Sequence, residues 1–189
     1  ITADEVMEEI DEALGAGAGK DAIRYFYLSR RMEIPVELDV ELAKRASLDN
    51  PAIYLQYGHA RLASILRRAK ADHGLEPVPF DALLAGKLVH PGELAVLQHL
   101  GTYPRVVREA ARDLAPSRVL FFLQELAELF QGYYTQTKQA KDPILPMASS
   151  RAIEGWEAGW DRGKTEARLA WVEAIRRVYR DALGLLGMS

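Results

Sequence analysis

Apolar residues along this chain recur mostly at three- and four-residue spacing, the period that aligns side chains on one face of an α-helix. Thr2-Ala3-Asp4-Glu5 reads as a capping box, and Val6, Ile10 and Leu14 continue it as a narrow apolar stripe. The run Gly15-Ala16-Gly17-Ala18-Gly19 is too rich in glycine to extend that helix and predicts a helix–helix linker. A second helix is expected over residues 20–31, with Ile23, Phe26 and Tyr27 inward. Pro35 and the alternation from Val36 to Val40 predict a short extended connector, followed by a helical turn within residues 41–47.

Asp49-Asn50-Pro51 is a strong helix start, a side-chain cap followed by proline at the first helical position, and the helix is expected to reach about residue 71. Residues 73–91 carry Gly74, Pro77, Pro79 and Gly86, which predicts a loop with one helical turn. Pro91 opens the next helix, with Leu94, Leu97 and Leu100 inward, and Pro104 is read as opening another. The helix from Pro116 or Ser117 has the widest apolar face (Val119, Phe122, Leu123, Leu126, Phe130, Tyr133), so it belongs at the centre of a bundle. Residues 138–163 are irregular and contain Trp156 and Trp160. The last helix, 165–183, is expected to bury Trp171, Val172, Ile175, Val178 and Leu183 and to carry Arg168, Arg176, Arg177 and Arg180 outside. No repeat is evident. The prediction is an all-α helical bundle of about five helices behind a short α-rich lead-in.

Composition narrows the functions available. A chain of 189 residues with 49% hydrophobic residues can bury a core without staples. It has no cysteine, which excludes disulfides, thiolate zinc sites and cysteine nucleophiles. Its apolar runs are short and interrupted by charge, so no membrane span is expected, and with no visible leader the expected setting is cytoplasmic. A net charge of −3 argues against generic polyanion binding, so any nucleic-acid contact must come from a local patch. The first residue is Ile1 rather than Met, and a piece of a longer chain is therefore expected.

The candidate chemistry is thin except in one place. Gly15 to Lys20 lacks the first glycine and the hydroxyl of a phosphate-binding loop, with Leu14 and Asp21 standing there instead. His59, His73, His90 and His99 have no two-ligand spacing, so no metal site is expected. No nucleophile elbow or paired carboxylate stands out, and no catalytic residue is assigned. The helix from Pro51, however, carries two stripes. Leu55, His59, Leu62, Leu66 and Ala69 form the expected core face, with His59 read as a hydrogen-bonded core residue. Tyr54, Tyr57, Arg61, Ile65 and Arg68 form the second, with Arg67 and Lys70 nearby. Tyrosines aligned with arginines can stack bases and hold phosphates; they can equally be half-buried packing residues with ordinary surface cations, which residue types alone favour. Phe130, Tyr133 and Tyr134 likewise read as core or as the wall of a base pocket. A helical protein–protein scaffold anchored by Trp156, Trp160 and the tyrosines is the alternative from another functional class.

Several segments together resemble the arginyl-tRNA synthetase family. Residues 21–31 (DAIRYFYLSRR) resemble its D-A-x-R-[YF]-F-x-L-S-R helix, residues 38–44 (LDVELAK) resemble L-D-L-D-L-A-K, and residues 49–61 (DNPAIYLQYGHAR) are similar to D-N-P-x-Y-Y-x-Q-Y-A-H-A-R. Residues 104–130 and the closing Leu183-Gly184-Leu185-Leu186-Gly187 fit in order. The resemblance implies the end of a catalytic half and connector over residues 1–47, then an α-helical anticodon-binding domain over 48–189. It implies tRNA(Arg) and the upstream catalytic domain of the same chain as partners, a monomer, no cofactor in this segment, and ATP and magnesium only in the parent enzyme, whose motifs are missing here. Asn50, Tyr54, Gln56, Tyr57 and Arg61 match the family's contact with the anticodon arm, and Tyr134 matches an aromatic of its anticodon pocket. Arg68, from the stripe, is added as a phosphate contact. Gly58 stands where the family usually has alanine, and residues 135–163 depart from the family's short link.

Overall fold

The computed structural model describes residues 2–30, 38–146 and 155–188, apart from the side chain of Trp156. Residues 35–37 of the predicted connector, and the Trp156 indole proposed as an anchor, lie outside the described residues. Helix α1 (Ala3–Leu14) begins with the predicted capping box, Thr2 and Glu5 satisfying each other's backbone amides, and ends at Gly15 with φ +105°. Helix α2 (Ala18–Leu28) returns so closely that a Cβ on Gly19 would fall on the backbone of Met7, 2.7 Å from its Cα. Asp11 of α1 accepts from the amides of Gly17 and Gly19 (3.1 and 2.6 Å), so a carboxylate already caps the start of α2 where a phosphate would otherwise sit. A single helical turn, α3 (Val40–Ala43), is capped by Asp39.

Four long helices follow: α4 (Pro51–His73), α6 (Pro91–Arg112), α7 (Ser117–Gln139) and α8 (Arg162–Leu185), with the short α5 (Ala82–Ala85) between the first two and a 3₁₀ turn (Trp156–Gly159) before the last. Among the described residues there is no strand. The all-α expectation holds, but Pro104 does not open a helix; it lies inside α6. Its ring faces solvent beside exposed Gly101, and the helix continues because Val96, Tyr103 and Ala110 bury on either side of the break. Tyr103 donates to Asp181 (2.6 Å), tying α6 to α8 across that point.

The main core lies between α4, α6, α7 and α8, with Leu55, Leu62, Val96, Leu120, Leu123, Leu126, Trp171 and Ile175 fully enclosed. A second, smaller core joins Val6, Ile10, Ala22 and Ala43. Helix α2 serves both, since Tyr25 enters the main core across the expected boundary at residue 47. The register of α2 differs from expectation: Ala22 and Tyr25 are buried and Tyr27 is exposed. In α6, Glu93 and Val96 turn inward and Leu94 outward.

Candidate nucleic-acid interface

Asn50 sets the direction of α4. Its Oδ1 accepts from the Ala52 amide (3.1 Å), and its Nδ2 donates to the carbonyls of Ala43 (2.7 Å) and Arg45 (3.3 Å). The side chain is buried and engaged at both ends, so its geometry is that of a helix cap and strap rather than an RNA contact. Gln56 also turns away from the candidate face, donating to Asp21 on α2 (2.8 Å). Tyr54 packs half-buried against the core, and burial together with nearby Glu128 raises its pKa against the opposing pull of Arg61.

The remaining expected residues converge. Tyr57, Arg61 and Arg68 line one side of a cleft of about 560 Å³, and Tyr134 lines the other from α7. Tyr57 is 39% exposed. The Arg61 guanidinium lies 4.5 Å from the centroid of the Tyr57 ring and 4.9 Å from that of Tyr134, and it donates to the Tyr57 hydroxyl and to Gln131. Ile65, placed by spacing on the outer stripe, is instead buried at the cleft floor. Gln131 was not anticipated, nor was Lys138 at the mouth, although residues 131, 134 and 138 follow the same three–four spacing that revealed the α4 stripe.

The end wall is the segment from Pro143 to Pro146. It is held by Arg168, which spacing placed on the outer face of α8 and which is 2% exposed. Counting back three and seven residues from Trp171 and Ile175 puts position 168 on the buried face. Arg168 grips the Asp142 carboxylate through both terminal nitrogens (2.9 and 2.8 Å), reaches the carbonyls of Asp142 (3.1 Å) and Pro143 (3.3 Å), and bonds Glu93 through Nε (2.7 Å). Glu93, at 0% exposure, also accepts from the Tyr133 hydroxyl (2.7 Å) and the His90 amide (3.0 Å). Burial pushes the Asp142 carboxyl up, but the hydrogen bonds from Arg168 and Lys164 outweigh it and leave the group below its ordinary range. Burial likewise opposes the charge on Arg168, yet its carboxylate partners hold it more firmly protonated than usual.

Charge at the cleft mouth is less engaged. Arg67 and Lys138 have no acidic partner among the described residues, and Arg68 has only a 3.8 Å contact with Asp72. The basic face of α8 is different: Arg176 and Arg177 share Glu173 (both 2.8 Å), and Arg162 pairs with Glu166. His59 is half-buried, its ring stacked 6.4 Å from that of Tyr179, and its Nε2 has no hydrogen-bond partner among the described residues, where a bonded core histidine was expected. Trp160 donates to Thr165 of its own chain (2.8 Å). Among the described residues no three His, Asp or Glu side chains converge to hold a metal ion, and no helix is long and apolar enough to cross a membrane.

A family model described as the DALR anticodon binding domain matches residues 55–189. An arginine–tRNA ligase of Anaeromyxobacter sp. (strain K) is 37% identical over 185 residues, 97% of this chain and 28% of that protein. One from Desulfosudis oleivorans is 37% identical over 190 residues, all of this chain and 30% of that protein. The chain thus spans less than a third of the length of these relatives. Among solved structures, an arginyl-tRNA synthetase of Thermus thermophilus superposes with a TM-score of 0.70 at 24% identity, over the whole of this chain and 31% of that one, a likeness of fold.

Proposed function

Because the chain belongs to the DALR anticodon-binding domain family, we propose that its α4–α7 cleft receives an unstacked base from the anticodon loop of tRNA(Arg). The observation that carries this reading is that Tyr57 and Tyr134, from two different helices, flank one guanidinium in an open cleft also lined by Arg67 and Lys138, which have no acidic partner among the described residues. Single-stranded RNA is recognised by stacking splayed bases on aromatic and guanidinium planes, and the cleft supplies both. Arg67, Arg68 and Lys138 line the same cleft and are assigned to the phosphates flanking an inserted base. All arginine codons share a middle G, so the cognate anticodons share a central C, which is the base assigned to the cleft.

On this reading residues 1–47 are the end of a catalytic half and residues 48–189 the anticodon-binding domain. Arginylation, with its ATP and magnesium, is carried out by a longer monomeric enzyme of the cytoplasm. The test is titration of the chain with a tRNA(Arg) transcript and with one whose central anticodon base is changed, at several salt concentrations. Tyr134→Ala should weaken cognate binding by about 1–3 kcal/mol and erase the preference for the central base. Lys138→Ala should lower the salt slope by about one and leave the preference intact. Equal affinity of the parent for both transcripts would refute the reading.

A further inference from the structure

We propose that Gln131 is a positioning residue for the base cleft, fixing Arg61 as a flat stacking surface rather than a phosphate ligand. This rests on the anticodon-loop reading of the cleft. Both terminal nitrogens of Arg61 are engaged within the protein, one by the Gln131 side-chain carbonyl and the other by the Tyr57 hydroxyl. Its plane is bordered by the Tyr57 and Tyr134 rings. A guanidinium bonded along its edge stays flat against the two rings, so that rings and guanidinium form one stacking platform, and it cannot turn its fork toward a phosphate without breaking both bonds. Gln131 is itself held, because its Nε2 donates to Thr135 one turn further along α7 (3.3 Å). The amide therefore spans from the α7 surface to Arg61 on α4 without lining the cleft. Lysine at position 61 would keep the charge but present no plane, and an apolar residue at 131 would keep the helix but release the guanidinium.

The division of labour differs from a simple basic patch. Base affinity depends on Arg61 and Gln131 acting together, while the salt dependence arises from Arg67, Arg68 and Lys138. The experiment uses the 189-residue chain, with Gln131→Met, Gln131→Glu, Arg61→Met and the double variant Gln131→Met/Arg61→Met. Each is titrated with cognate tRNA(Arg) and its central-base variant across a potassium chloride series. Gln131→Met should bind cognate RNA roughly fivefold more weakly, with an unchanged salt slope and an unchanged unfolding midpoint. Gln131→Glu, whose carboxylate accepts the same bond, should restore parental affinity. Arg61→Met should lose roughly tenfold at unchanged slope, and the double variant should be no weaker than Arg61→Met alone.

Independently of RNA, nitrogen-15 spectra of the free chain should show slowed rotation of the Arg61 guanidinium in the parent and free rotation in Gln131→Met. The inference is overturned if that rotation is already free in the parent. Parental affinity in Gln131→Met, or a slope lowered by about one in Arg61→Met, would overturn it as well. A parent that ignores the central anticodon base refutes the anticodon reading instead, and the guanidinium rotation then decides the Gln131 assignment by itself.

Discussion

Removing Arg168 should be far more damaging than removing its partner Glu93, and the asymmetry follows from their surroundings. Arg168 has two carboxylates, Glu93 at 2.7 Å and Asp142 at 2.8 Å, whereas Glu93 has Arg168 as its only cation among the described residues. In Arg168→Met, Asp142 keeps Lys164 (2.7 Å) and water, since its side chain is already 42% exposed. Glu93 cannot do so, and a buried carboxylate stripped of its counter-charge costs about 3–5 kcal/mol. Against a typical total stability of about 5–15 kcal/mol, that is a large share. Glu93→Gln leaves Arg168 paired with Asp142 and an amide beside Tyr133, so about 1–2 kcal/mol is expected. The double variant Arg168→Met/Glu93→Gln should be more stable than Arg168→Met, because no stranded charge remains. Urea unfolding monitored by circular dichroism measures all three. An Arg168→Met loss below about 1 kcal/mol, or a double variant no better than the single, would refute this account of the charge cluster.

Other outcomes follow from single groups. Among the described residues the enclosed Tyr179 hydroxyl has no hydrogen-bond partner, so Tyr179→Phe should leave stability unchanged or raise it by about 1 kcal/mol in thermal unfolding. That hydroxyl occupies the space where a Cβ at Gly58 would lie, with the ring Cζ 2.9 Å from that point, so Gly58→Ala should destabilise by about 1–3 kcal/mol and recover partly in combination with Tyr179→Phe. Burial first, then Arg176 and Arg180, holds the His59 pKa below its ordinary value, so the folded state favours the neutral ring. Its contribution is fully present above about pH 6.5 and is lost as pH falls through the depressed value; His59→Gln should flatten urea midpoints over that interval. Asn50→Ala should cost about 2–3 kcal/mol of stability through the lost cap and strap, while chain that remains folded binds tRNA as the parent does.

Helix identity was readable wherever a cap and a stripe agreed. Thr2 with Glu5, and Asn50 with Pro51, each start a helix as expected, because a side-chain oxygen satisfying an orphan amide is a local event; Asp39 caps α3 from within the expected connector, so that helix begins one residue before the expected turn. Pro104 misled for the converse reason: proline marks a boundary only when nothing else holds the helix together, and Tyr103 on Asp181 holds α6 across it. Charged residues were the hardest to place. Arg168 and Glu93 look like surface residues by type and become interior only because each supplies the other's partner, on helices 75 residues apart. The tyrosine–arginine stripe pointed to the face of α4 that borders the cleft, but the facing residues of α7 depend on helix packing that spacing on one helix does not encode. Gly58 is similar. Its departure from the usual alanine becomes intelligible only with the Tyr179 ring in place, 121 positions later in the chain.

A chain of net charge −3 can still present a site for RNA, because what an approaching phosphate senses is the charge left uncompensated within about 8–10 Å. Much of the cationic surface here is spent internally: Lys44 on Glu9 and Glu41, Lys70 on Glu76, Arg112 and Arg118 on Asp113, Arg176 and Arg177 on Glu173, Arg168 on Glu93 and Asp142. At the α4–α7 cleft the balance differs, with Arg67 and Lys138 free of acidic partners among the described residues and Arg68 weakly held. Ion pairing elsewhere thus gives contrast to this one opening. Since Lys70 lies one turn from Arg67 and is already matched by Glu76, a charge reversal at Glu76 should widen the basic field rather than add a contact. Glu76→Lys should raise the affinity for tRNA(Arg) and for its central-base variant by the same factor, with a steeper salt slope and no gain in discrimination. A gain confined to the cognate transcript would mean that the charge acts inside the base cleft, and the separation of stacking from phosphate binding would fail.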